Sequence, residues 1–121
     1  MEAPIDSVWI DDEILLDCAQ QGIWRHNQFV PLTARAYRFL LYFVHHPRQI
    51  IPIPQLLHIG WPDEVRTPRD LYGHIYRLRR VIESDPRHPR LLVTRRDAGY
   101  LWTAIPHNQM DSRRVSQIIS T

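Results

Sequence analysis

Apolar positions in the first thirty residues come in short pieces: Val8–Ile10, Ile14–Leu16, Ile23–Trp24 and Phe29–Val30. Asp11-Asp12, Gln20-Gln21-Gly22 and His26-Asn27 break them. Pieces of that length between turn formers predict a small antiparallel β-meander, a platform on which helices can rest. From Thr33 the spacing changes to three and four. Tyr37, Leu40, Leu41 and Val44 form one stripe of a helix that Thr33 caps and Pro47 ends. Ala36 stands where a glutamate would complete a capping box. Ile50 to Pro54 is too rich in proline for helix. A short helix can start at Pro54, turn Leu56 and Leu57 inward, and stop at Gly60-Trp61-Pro62.

The strongest periodicity lies between Thr67 and Ile82. Thr67 suits the N-cap and Pro68 the first helical position, where a missing N–H costs nothing. Leu71, Ile75, Leu78 and Ile82 then make one narrow apolar stripe. At about 100° per residue, Arg66, Arg69, Gly73, Tyr76, Arg77 and Arg80 lie opposite it. Such a basic face is either solvated or presented to the DNA major groove, which admits a helix and offers guanine edges to arginine. Gly73 favours the second reading. A mid-helix glycine costs roughly 1 kcal/mol against alanine, and close approach of the backbone to a ligand would be a reason for it.

Helix, short link and basic helix make a helix-turn-helix. After the loop 84–90, Leu91–Arg95 and Tyr100–Ala104 read as strands around Asp97-Ala98-Gly99. A hairpin in that place is a wing, with Arg95 and Arg96 at its tip; because adjacent strand residues face opposite ways, only one need reach DNA. The rest of the chain, Pro106 to Thr121, is polar. Asp111 to Ile119 forms either an amphipathic helix, with Val115, Ile118 and Ile119 on one face, or a linker.

Composition sharpens this picture in three ways. At 121 residues the chain is long enough for one domain with one core. The single Cys18 excludes a disulfide framework, and an acidic N-terminus with no long apolar run argues for a cytoplasmic protein without a membrane span. The net charge of +2 hides an asymmetry: residues 1–64 carry four Arg against eight acids, a balance of −4, and residues 65–121 carry eleven Arg against five acids, a balance of +6. Basic charge gathered around one helix suits a polyanion.

Other chemistry is thin. Asp11, Asp12 and Glu13 read as a solvated turn, since no further ligand stands at metal-binding spacing. His45 and His46 are adjacent in a helix and point about 100° apart, so they suit charge compensation at the helix end better than chelation. No nucleophile–base set, nucleotide loop or metal spacing is visible; an enzyme, a cofactor and a metal are not expected.

Three stretches together resemble a known family. Leu32-Thr33 with Tyr37 and Leu40-Leu41, then Leu71 to Glu83 with His74-Ile75 and Leu78-Arg79-Arg80, then Thr94-Arg95-Arg96-Asp97-Ala98-Gly99-Tyr100 are similar to the winged-helix effector domain of OmpR/PhoB type. The resemblance runs from about Val8 to Ala104. It implies an α+β fold over residues 5–105, a winged helix-turn-helix with an N-terminal antiparallel meander, three helices and a C-terminal hairpin wing, with 106–121 as tail or linker.

It also implies roles. Arg69, Gly73 and Arg77 match groove-facing positions. His74, Arg79 and Thr94 match phosphate contacts, with packing for His74 and an acid partner for Arg79 as the alternatives. Arg96 matches the wing arginine of the minor groove. Trp61 matches a tryptophan near the DNA backbone, or it plugs the helix junction. The 60–66 loop matches a segment that can contact RNA polymerase. Pro52 replaces a usual serine cap and Asp97 a usual wing glycine. The expected partner is double-stranded DNA in direct repeats, bound in tandem by a chain that is monomeric when free; no long heptad is present for a symmetric coiled coil. With the module starting near residue 5, the expected arrangement is that of one-component or multidomain regulators that place it first, without a receiver domain ahead of it, of which this chain would be an excerpt. The competing class is a winged helix that docks another protein.

Overall fold

The hairpin that opens the chain closes through Asp11, whose carboxylate accepts the amides of Glu13 at 2.7 Å and Ile14 at 2.9 Å. In this computed structural model, which describes residues 7–106, that hairpin joins β1 (Ser7–Trp9) and β2 (Ile14–Asp17). With β3 (Gly22–Arg25) and β4 (Gln28–Pro31) they form an antiparallel sheet in sequence order. His26 and Asn27, both at positive φ, make a two-residue turn pairing Arg25 with Gln28, the geometry that matches the natural strand twist. One polar group here is not surface. Asp17 is fully buried and accepts from the Gln20 amide, the Gln20 side chain and the Trp24 indole.

Helix α1 (Ala34–His45) is capped as expected, the Ala36 amide donating to Thr33 Oγ1 at 3.1 Å. Its buried residues are Phe39, Leu40, Phe43 and Val44. Tyr37 and Leu41, assigned to the stripe, are only half-buried. Tyr-Arg-Phe-Leu-Leu-Tyr-Phe-Val is apolar almost all round, so spacing alone does not set the rotation of the helix; burial goes to the two phenylalanines. The Nδ1 atoms of His45 and His46 sit 2.8 Å from the carbonyls of Leu41 and Tyr42, where they satisfy last-turn acceptors.

The chain divides by its internal contacts into two units, with residues 38–104 forming the second. In this unit α2 (Ile53–Gly60) packs against α3 (Pro68–Ile82). Pro52 occupies the α2 N-cap and supplies no side-chain bond. Leu56 is buried and Leu57 half-buried. All four stripe residues of α3 are buried. The wing is larger than a hairpin. Strands β6 (Leu92–Arg95) and β7 (Gly99–Trp102) pair as expected, and β5 (Ile50–Ile51) adds a third strand on the far edge of β7. Two residues ahead of Pro52 give no readable period, yet both are β-branched and neither is the proline, so both can pair.

The reading of residues 111–119 as helix or linker lies outside the described residues. No helix among the described residues is long and apolar enough to cross a membrane.

Candidate nucleic-acid interface

The outer face of α3 is built by its N-terminus. The Asp70 carboxylate reaches back to the Thr67 amide at 2.9 Å, closing the first turn and placing a negative charge at the positive end of the helix dipole. The Thr-x-x-Asp spacing is a capping-box signal in the sequence that the reading of Thr67 as N-cap left unused. The same turn engages Arg66. Its guanidinium bonds Glu64, lies 3.9 Å from Asp70, and covers the Trp61 ring with its carbon 5.6 Å from the centroid. Sequence reasoning placed Arg66 on the outer face with the others. The structure pairs its charge with two acids, Glu64 and Asp70.

Trp61, 4 % exposed, makes edge contacts with Phe39 at 6.0 Å and His74 at 5.3 Å, and His74 also meets Phe39 at 5.8 Å. The three rings plug the junction of the helices. His74 is half-buried there, on the flank of α3 that faces α2.

Arg79 lies on the opposite flank. Its Nε donates to the Leu92 carbonyl and its Nη2 to Thr94 Oγ1, both at 2.9 Å, and its carbon stands 5.7 Å from the Tyr100 ring centre. It therefore ties α3 to both strands of the wing hairpin. Burial lowers its pKa, while Tyr100 and Glu83 oppose that; burial raises the Tyr100 phenol, against the pull of Arg79. A guanidinium has five N–H donors, so the tether leaves donors for a phosphate. Tyr100 is buried in the wing.

Glu83, just past α3, is 4 % exposed and has no precedent in the sequence reading. Its carboxylate accepts the amides of Arg90 at 2.8 Å, Leu91 at 3.0 Å and Leu92 at 2.8 Å. An acid at a helix C-terminus opposes the dipole. That mismatch was the available signal that other donors come to it.

Arg69, Arg77 and Arg96 differ from these. All are exposed, and among the described residues none has a side-chain hydrogen bond or ion-pair partner. Arg80 is exposed too, but holds the Tyr76 ring, 3.4 Å from its hydroxyl. Gly73 sits among them. A Cβ there would meet nothing closer than the Arg77 guanidinium at 3.5 Å, an ordinary van der Waals contact, so the fold itself does not require glycine. Arg96 opens the turn between β6 and β7, closed by the Ala98 amide on the Arg95 carbonyl at 2.9 Å. Asp97 takes φ 62°, the left-handed conformation that aspartate accepts more readily than most residues. Among the described residues Asp97 pairs with no arginine.

The chain has relatives among known proteins. The family "Transcriptional regulatory protein, C terminal" matches residues 26–102. The chain belongs to this family. A family relative, the regulatory protein VirG of Agrobacterium tumefaciens (strain 15955), is 41 % identical over 76 residues, which is 62 % of this chain and 28 % of that protein. The VirG of Rhizobium rhizogenes is 37 % identical over the same length, 32 % of that protein. The chain thus matches under a third of the length of these curated relatives.

Among solved structures, the DNA-binding domain of Escherichia coli CadC has the same fold, with a TM-score of 0.75 and 21 % identity over 87 % of this chain and 98 % of that one. The DNA-binding domain of Klebsiella pneumoniae RstA, solved in complex with the RstA box, has a TM-score of 0.68 and 20 % identity over 81 % and 97 %. The family fold is thus the winged helix expected from the sequence, with a four-stranded antiparallel meander, three helices and a C-terminal wing.

Proposed function

We propose that this chain is the sequence-specific DNA-binding domain of a bacterial transcription regulator, acting in the cytoplasm, with residues 5–105 as the domain and 106–121 as tail or linker. The observation that carries the reading is the outer face of α3. Arg69 and Arg77 stand there without acid partners around a glycine the fold does not need. Family membership and the RstA–DNA complex support it. Arg69 and Arg77 read base edges in the major groove, helped by Arg80 and Tyr76, with Gly73 letting the backbone approach. His74, Arg79 and Thr94 set register on phosphates. Trp61 and Arg66 act from the junction rather than from the groove: they hold the rings and the first turn that aim the helix. The 60–66 loop, with Val65 fully exposed, is the surface assigned to RNA polymerase.

The test is binding selection from random duplex DNA, repeated across salt concentrations. With roughly four phosphate contacts, affinity should fall about a hundredfold between 50 and 200 mM salt. Arg77→Ala should cost about 1–3 kcal/mol on the selected site and relax discrimination at one position, while His74→Ala weakens all sequences alike. Equal losses on specific and random DNA would remove the base-reading role of Arg77. Salt-insensitive binding would favour a protein-docking module instead. The chain is taken to be monomeric when free and to fill two head-to-tail half-sites about one helical turn apart. A selected motif with a single half-site would exclude that arrangement.

The wing gives a second expected result. Arg96, at the tip, is placed to enter a narrow minor groove, where A·T-rich sequence concentrates negative potential. Selected sites should carry an A·T-rich flank that Arg96→Ala abolishes. Asp97→Gly should leave that flank unchanged, because Asp97 does not hold the arginine. A flank that survives Arg96→Ala, or binding that tightens with Asp97→Gly, would contradict this role.

A further inference from the structure

Two large side chains on α3 remain on the surface although the helix has a full buried stripe: Tyr72 is 50 % exposed and Tyr76 59 %. They are one turn apart, at i and i+4 of α3, so they share one side of the helix. The helical repeat places Tyr72 on the flank of Arg79, which is tied to the wing, while Arg77 is displaced toward the flank of His74, which faces α2. The outer face is therefore graded. It is cationic toward α2, basic and open around Gly73, and aromatic toward the wing. Arg80 lies against the Tyr76 ring and limits its rotation.

We propose that Tyr72 and Tyr76 form the apolar edge of the recognition surface and read thymine methyl groups on the wing side of the half-site. The inference rests on the DNA-binding reading and adds a base class and a polarity to it. Of the four bases only thymine shows a methyl group in the major groove, and it is matched by apolar contact rather than by a donor. A tyrosine ring offers such a surface and keeps its hydroxyl for water or a phosphate. Arginines match guanine. The expected half-site thus runs from guanine on the α2 side to thymine on the wing side, where it adjoins the A·T-rich flank.

A uridine scan tests this. In the site selected by the wild-type chain, each thymine is replaced in turn by deoxyuridine, which removes the methyl and leaves every hydrogen-bonding group. Wild type should lose about three- to fivefold in affinity at one or two wing-side positions, the worth of one buried methyl. Tyr72→Ala or Tyr76→Ala should abolish that difference, and Tyr72→Phe should keep it. Thymine and uridine sites are compared within each variant, so a general loss of affinity cancels. A methyl dependence that is absent in wild type, or equal in wild type and both alanine variants, overturns the inference while salt-dependent specific binding stands. If wild type selects no site at all, the underlying reading falls instead.

Discussion

Glu83→Ala will lower the stability of the domain by about 3–5 kcal/mol, a loss typical of removing one side of a buried ionic hydrogen-bond set. Three successive backbone amides, those of Arg90, Leu91 and Leu92, donate to this carboxylate within 3.0 Å. Alanine leaves them without that acceptor where the chain turns from loop into β6. At about 4–8 °C per kcal/mol for a domain of this size, the melting temperature should drop by about 15 °C or more. Glu83→Gln keeps one acceptor oxygen but brings an NH2 group against backbone N–H donors, so it should recover only part of the loss. A melting temperature within a few degrees of wild type for Glu83→Ala would show that the amides find other partners. DNA affinity should fall with stability, since the segment concerned roots the wing.

Gly99→Ala is the second large effect, expected at about 2–5 kcal/mol from backbone strain and overpacking together. Gly99 has φ 144°, which side-chain-bearing residues rarely adopt. A Cβ there would lie 2.1 Å from the Ile51 carbonyl oxygen and 3.0 Å from the Pro52 Cα. Both are backbone, so relief requires β5 to leave β7. Denaturant titration should show the lost stability, and amide exchange should speed up selectively at the β5–β7 pairing of Ile50 with Leu101 and Ile51 with Tyr100. An alanine variant as stable as wild type, with β5 still protected, would mean that the wing absorbs the methyl by a shift not evident from its pairing.

Both residues mark where reading a sequence reaches its limit. The stripe of α3 was legible because only one rotation buries Leu71, Ile75, Leu78 and Ile82 while leaving the arginines outside. The meander was legible because Asp11-Asp12, Gln20-Gln21-Gly22 and His26-Asn27 break its apolar pieces at or beside the turns. In α1 the rotation was not, because apolar residues occupy nearly every direction. Strand β5 was not, because two residues have no period. In the site, composition identifies arginines but not what holds them. Arg66 and Arg79 are as basic in the sequence as Arg69 and Arg77, yet two acids engage the first and the wing engages the second. Glu83 was hidden because its partners are backbone amides, which every residue except proline carries.

The Arg79 tether has a consequence for how an operator would be spelled. Since one guanidinium holds Leu92 and Thr94 to the helix, the separation between the base pairs proposed for α3 and those proposed for Arg96 would be a length fixed inside the protein. One base pair inserted between those two stretches would displace them by about 3.4 Å and rotate them as well. A side chain on a free hairpin could follow that shift; one on a braced hairpin has to abandon one of its two contacts. On the proposed contacts the protein would work as a ruler, and the gap between the two stretches would carry information as surely as the bases within them.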